Sequence, residues 1–220
     1  MLNKSLRKIA NYQDNKSFAL KLREKRNIIF KNFISGLSRP VHILDVGGTE
    51  VYWQKMGFAG NNDYQITVLN IFKNKQGSSN VKSVAGDARN MKEFKDKHFD
   101  VVFSNSVIEH VGDFDDQNKM AKEIKRIGKK YFLQTPNYYF PIEPHFLFPL
   151  FQFFPIWFKV FLIRHFNLGW REKTPTKEDA LKNAKSVRLL TEKELKDLFP
   201  EAKIINEKVL GFTKSFIVYK

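Results

Sequence analysis

Cysteine is absent from this chain of 220 residues. Its absence excludes disulfides, thiol catalysis and cysteine-ligated zinc or iron–sulfur sites. Histidine is scarce too: five residues are scattered along the chain without an HxH or HExxH pattern, so no metal site is expected. Acidic side chains are outnumbered, 23 Asp and Glu against 38 Lys and Arg, for a formal net charge of +15. An excess of that size points toward nucleic acid, an acidic substrate or an anionic membrane surface, or toward a Lys-rich solvated surface. Ten of the basic residues lie within residues 1–40, where the only acids are Asp14 and Glu24. The longest uncharged run of the aromatic region, Phe146–Phe158, has 13 residues and contains Pro149 and Pro155. Crossing a bilayer takes about 20 apolar residues, so this run does not span one. The basic N-terminal stretch has no apolar core of signal-peptide length. A cytoplasmic location is the expectation, with peripheral contact at the inner face of the membrane left open.

What the chain has in abundance is aromatic residues: 22 Phe, 7 Tyr and 3 Trp. The length suits one domain, residues 1–220, with a sizeable core. Residues 14–36 set Phe18, Leu22, Ile29 and Phe33 at helical spacing, with Gly36 as the expected C-cap, and close a basic helical segment over 1–39. Strands and helices then alternate. VHILD (41–45), YQITVLN (64–70), VKSVAGD (81–87), HFDVVFSNS (98–106) and KKYFLQTP (129–136) read as strands, with helices predicted at VYWQKMGF and DDQNKMAKEIKRIG. LLTEKELKDLFP (189–200) carries a capping box, Thr191 with Glu194, and two closing strands form a hairpin. Such alternation predicts a parallel α/β sheet, a Rossmann-like three-layer sandwich.

Ligands of open α/β sheets bind beyond the carboxyl ends of the strands. Here the first strand ends in Asp45-Val46-Gly47-Gly48, and the glycines remove side chains that would block a close approach. The second ends in Asn70, suited to a hydroxyl pair; the third in Gly86-Asp87-Ala88, where Asp87 can accept from an amine; the fourth in Ser104-Asn105-Ser106. A dinucleotide dehydrogenase would carry GxGxxG and an acid about 20 residues later, and neither pattern is met.

The order ILDVGG, ITVLN, AGDARNM, FDVVFSNSVIEHV, YFLQTPN, over residues 40–136, resembles the class I S-adenosylmethionine-dependent methyltransferases. The resemblance implies a seven-stranded, mostly parallel sheet with an antiparallel last strand, and S-adenosylmethionine as cofactor. It implies that Asp45, Gly47 and Gly48 shape the pocket for the methionine part, with Asn70 at the ribose. Asp87 and Ala88 would then meet the adenine, with Ser104 and Asn105 beside the sulfonium. The chain departs from the family in its short GGTE loop and in Asn70, which stands where an acid is usual. An amide gives up a charge-assisted bond there, about 1–2 kcal/mol.

Transfer from a sulfonium needs a base only for a hydroxyl or a protonated amine. The candidates are His110, after the fourth strand, and Glu143 and His145, after the fifth. For each the alternative is a purely structural role, such as a helix-start histidine bonded to the backbone. Residues 137–188 form an aromatic insertion with three readings: a lid over the acceptor, a membrane-surface dock helped by Lys159 and Arg164, or a subunit contact. TPNYYFPIEPHFLFP with SVRLLTEKELKDLFPEA resembles bacterial methyltransferases linked to surface-polysaccharide gene clusters. The acceptor this implies is a small molecule or a lipid-linked glycan methylated on a hydroxyl. Rival readings are a lipid or quinone methyltransferase, an RNA methyltransferase, and a non-catalytic protein that keeps the fold to bind a membrane surface or a partner. Nucleic acid is the weaker partner, since SNSVIEH stands where base-modifying enzymes carry NPPY or DPPY.

Overall fold

The computed structural model describes residues 18–75 and 77–220. Residues 1–17 of the basic N-terminal segment, Asp14 among them, therefore lie outside the described residues. Five parallel strands follow in sequence: β1 (Val41–Val46), β2 (Tyr64–Asn70), β3 (Val81–Ala85), β4 (Phe99–Asn105) and β5 (Gly128–Pro136). A two-residue pair, β6 (Ile142–Glu143) and β7 (Phe148–Pro149), comes next, and β8 (Lys203–Val209) and β9 (Phe212–Tyr219) close the chain. The main sheet has seven strands in the order β3-β2-β1-β4-β5-β9-β8. β9 is antiparallel to both of its neighbours. Strand order reverses between β1 and β4, which opens a crevice at their carboxyl ends.

Period-two alternation explains how the sheet is covered on both faces. Leu44, Val102, Leu133 and Val218 point to one side, against α3 (Phe114–Ile127) and α6 (Glu192–Leu198). Ile43, Val101, Phe132 and Ile217 point to the other, against α1 (Phe18–Ile34) and α2 (Glu50–Met56). Phe30 of α1 is fully buried on that second side, with ring centroids 4.9 Å from Phe103 and 5.1 Å from Phe132. Helix α3 starts on Asp113, whose carboxylate accepts from Asp116 N, and buries Gln117, Met120, Ala121, Ile124 and Ile127 along one stripe.

Helix α6 carries the expected capping box: Thr191 Oγ1 accepts from Glu194 N at 3.2 Å and Glu194 Oε2 accepts from Thr191 N at 2.8 Å. Gly36 does not cap α1. It stands where a capping glycine would, two residues beyond Ile34, but outside the left-handed region that such a cap requires. Between β5 and α6 the insertion folds as β6, β7, α4 (Ile156–His165) and α5 (Lys177–Lys185) around a small core of its own, which includes Phe146, Phe151, Ile163 and Ala180.

Candidate cofactor and acceptor site

The turn after β1 is built for close approach. Gly47 has φ of +76°, and a Cβ on it would lie 2.6 Å from a Val107 methyl. A Cβ on Gly48 would lie 1.6 Å from Asp45 Oδ2, so neither position admits another residue without rearrangement. Asp45 is 1% exposed and sits beneath the turn, where Trp53 Nε1 donates to its Oδ2 at 2.7 Å. Its other oxygen, Oδ1, has no hydrogen-bond partner among the described residues. Burial pushes the Asp45 carboxyl up to about 7, with the Trp53 bond working the other way. Asn70, at the end of β2, donates from Nδ2 to the Gly48 carbonyl at 2.9 Å and so latches the two strand ends together.

A cavity of about 380 Å³ lies against this turn. It is lined by Gly47, Asn70, Asp87, Ala88 and His110, five of the residues singled out from sequence. Leu69, Ile71, Val107 and Val111 add apolar wall, and Ile71 is 64% exposed although it follows directly on a buried strand. Asp87 is not an unoccupied acceptor. Arg89 donates to it through Nε and Nη2, the latter at 2.6 Å, and reaches Asp116 at 3.0 Å with Nη1. Those bonds hold the Asp87 carboxyl below its usual range. Arg89 is absent from the sequence-based candidates, although a base two residues after the acid was there to be read. Ser104 lies outside this cavity, its Oγ 3.4 Å from the Val46 carbonyl. Asn105 accepts from Arg26 and lines a second cavity instead.

That second cavity, of about 360 Å³, opens beyond β4 and β5. Arg23, Arg26, Arg171, Lys214 and His145 line it, and among the described residues no carboxylate does. Arg26 is fixed by Glu207, Nη2 to Oε2 at 2.8 Å. Burial lowers the Lys214 pKa, and the Arg26 charge lowers it further.

Where the two cavities approach each other, the three base candidates come together. The rings of His110 and His145 lie 4.7 Å apart at 88°. His145 Nδ1 is 2.6 Å from Glu143 Oε1, and Glu143 Oε2 accepts from the backbone N–H groups of His145 and Phe146. Glu143 is thereby filled with local donors and orients His145. His110 Nδ1 meets the Ser186 carbonyl at 3.1 Å, the backbone contact foreseen as its structural role. Glu109, not among the sequence candidates, is 0% exposed: Thr135 Oγ1 donates to its Oε2 at 3.0 Å, and Oε1 lies 3.9 Å from His145 Nε2. Burial pushes the Glu109 carboxyl up to about 7, against the pull of His145. Burial alone would lower His145, but the Glu143 hydrogen bond and the charges of Glu143 and Glu109 outweigh it and raise the ring. Burial and the neighbouring His145 lower His110.

Residues 48–131 match the methyltransferase-domain family model. A structure described as a SAM-dependent methyltransferase from Aquifex aeolicus superposes with a TM-score of 0.51 at 16% identity, covering 88% of this chain and 87% of that one. The fold is that of the class I S-adenosylmethionine-dependent methyltransferases. The same methyltransferase fold is seen in the Burkholderia thailandensis 1,6-didemethyltoxoflavin-N1-methyltransferase, solved with 1,6-didemethyltoxoflavin and S-adenosylhomocysteine. There the TM-score is 0.54 at 12% identity, over 99% of this chain and 85% of that one. In sequence, an uncharacterised protein of Mycobacterium tuberculosis (strain H37Rv) is 41% identical over 56 residues, which is 26% of this chain. The match spans only 19% of that curated relative's length.

Proposed function

We propose that this protein uses S-adenosylmethionine to methylate a hydroxyl of a small or lipid-linked acceptor, with a glycan of surface-polysaccharide synthesis as the leading candidate. The observation that carries the donor half is the cavity at the glycine turn, lined by Gly47, Asn70, Asp87 and Ala88 at or just beyond the ends of the first three strands and by His110 in the loop after the fourth. Bound there, the cofactor supplies an electrophilic methyl group on a sulfonium. The residues fit it. Gly47 and Gly48 leave room that any Cβ would fill, and Asp45 Oδ1, without a partner among the described residues, is an acceptor oxygen left over beneath the turn. Asn70 keeps its amide oxygen for a ribose hydroxyl while its Nδ2 holds the turn. Exposed Ile71 suits the face of a flat ring, and Asp87 an exocyclic amine.

The acceptor half rests on the second cavity. Its cationic lining favours an acceptor that carries an acidic group, such as a phosphate or a uronate. The proton of a hydroxyl bound there leaves at the cluster of Glu109, His110 and His145, with Glu143 holding His145 in orientation. A second reading, in which the acceptor is lipid-borne and reached at a membrane surface, is favoured by the insertion. Trp157 is 69% exposed, and Phe153, Ile156 and Phe161 stand exposed near it. Among the described residues no helix is long and apolar enough to cross a membrane.

Calorimetric titration with S-adenosylmethionine and S-adenosylhomocysteine tests the donor site. Micromolar binding is expected. In Asp87→Ala it should weaken about 10- to 100-fold, the worth of one charge-assisted hydrogen bond. No heat from folded protein with either ligand would overturn the assignment and favour a non-catalytic binding role.

A further inference from the structure

We infer that Glu109, His110 and His145 form a binding site for one divalent transition-metal ion, set between the cofactor cavity and the cationic cavity. Each of the three offers a donor atom, and these atoms all lie within 4.8 Å of one another. Distance alone would not distinguish a metal site from a polar cluster. The orientation of the rings does. His110 Nδ1 faces the Ser186 carbonyl, which can only accept, so Nδ1 carries the hydrogen and Nε2 keeps its lone pair. His145 Nδ1 faces the Glu143 carboxylate in the same sense, and its Nε2 is turned toward Glu109. A backbone carbonyl on one ligand and a carboxylate on the other are the outer partners that metal-binding imidazoles take.

The third donor supplies an independent observation. Glu109 is 0% exposed, yet its Oε1 has no hydrogen-bond partner among the described residues and lies 3.9 Å from His145 Nε2. Leaving a buried oxygen unmatched is unfavourable, the more so for a charged group. Glu143 is also buried, at 2%. Two buried carboxylates around one imidazole pair are short of positive charge, and a divalent cation supplies it. Around a tetrahedral ion with bonds of roughly 2 Å the donors stand about 3.3 Å apart. The cluster therefore closes by about an ångström or more on loading, and exposed His110 is the side chain with room to move.

Two imidazoles and one carboxylate select zinc, manganese, iron(II), cobalt or nickel over magnesium or calcium, which prefer all-oxygen sets. Three protein ligands leave coordination positions open. His145 lines the cationic cavity and His110 the cofactor cavity, so an open position facing the former would take the acceptor's hydroxyl oxygen and lower its pKa. That role rests on the methyltransferase reading; the ion's presence does not.

The test uses the full chain without affinity-tag histidines, stripped with a chelator and titrated with Co²⁺ followed by its visible absorption, and with Mn²⁺ followed by electron paramagnetic resonance. One equivalent is expected to bind. His110→Ala and His145→Ala should each weaken binding at least about tenfold, and Glu143→Gln, acting through His145, about tenfold. Because His110 is exposed, its variant should fold as the wild type does, as checked by circular dichroism. Absence of stoichiometric binding to folded wild type, or equal affinity in the wild type and His110→Ala, overturns the site. Metal binding without S-adenosylhomocysteine binding would sink the donor assignment alone, and the reverse result would sink the metal site alone.

Discussion

Asp45 should make the stability of this fold fall as pH rises from about 4 to about 7, and Asp45→Asn should remove that dependence. The carboxyl has an ordinary pKa of 3.8 and is pushed up to about 7 in the folded protein by burial. The folded state thus holds the Asp45 proton more tightly than the unfolded chain does. The stabilisation is complete below the unfolded value and is lost as pH climbs to the folded one. A difference of about three pKa units, at 1.36 kcal/mol each, amounts to about 4 kcal/mol, and about 3 kcal/mol of it falls between pH 4.5 and 7.5. An asparagine keeps an oxygen to accept from Trp53 Nε1 but has nothing to titrate. Its amide, set in place of the partnerless Oδ1, shifts the stability curve vertically without giving it a slope. Urea unfolding of both proteins at pH 4.5, 5.5, 6.5 and 7.5 makes the comparison, and other titrating groups cancel in the difference. Convergence of the two stabilities, or their crossing, by about 3 kcal/mol over that range is the expected result. Parallel curves would mean that Asp45 is charged in the fold and that its burial has been misjudged.

Gly48→Ala should destabilise the protein by about 1–3 kcal/mol, because its Cβ lands on the Asp45 carboxylate. Thermal unfolding should show part of the loss restored in the double variant with Asp45→Ala, and simple additivity would contradict the contact. The paired substitution Trp157→Ser and Phe161→Ser should cut sedimentation with vesicles rich in anionic lipid several-fold, while S-adenosylhomocysteine affinity stays unchanged. Equal sedimentation would remove the membrane-surface reading of the insertion.

The central strands were legible because they are short runs rich in β-branched and aromatic residues, set off by polar and glycine turn signals. YQITVLN coincides with β2, and HFDVVFSNS exceeds β4 by one residue at each end. The capping box at Thr191 was equally plain, since both partners lie within one turn. The insertion was legible only as composition: its aromatics have no period, and β6 and β7 are too short to leave a pattern. Gly47, Asn70, Asp87 and Ala88, which line the cofactor cavity, stand at or just beyond strand ends and could be counted off. Glu109 could not, because what it does depends on meeting His145, 36 positions further on, and no local spacing encodes that encounter. Asp45 shows the reverse difficulty. Its position in the motif was plain, but the packing of Trp53 over it was not, and that contact sets its chemistry.

The indole that holds Asp45 also gives the molecule an optical probe. Of the chain's three tryptophans, Trp157 and Trp170 are 69% and 51% exposed, whereas Trp53 is sealed at 0%. Iodide in solution would quench the first two and leave the emission of Trp53, whose N–H is bonded to a carboxylate directly under the glycine turn. Whatever enters that turn, or moves the proton beneath it, should alter this residual signal, so the fate of the site can be followed by fluorescence without a label.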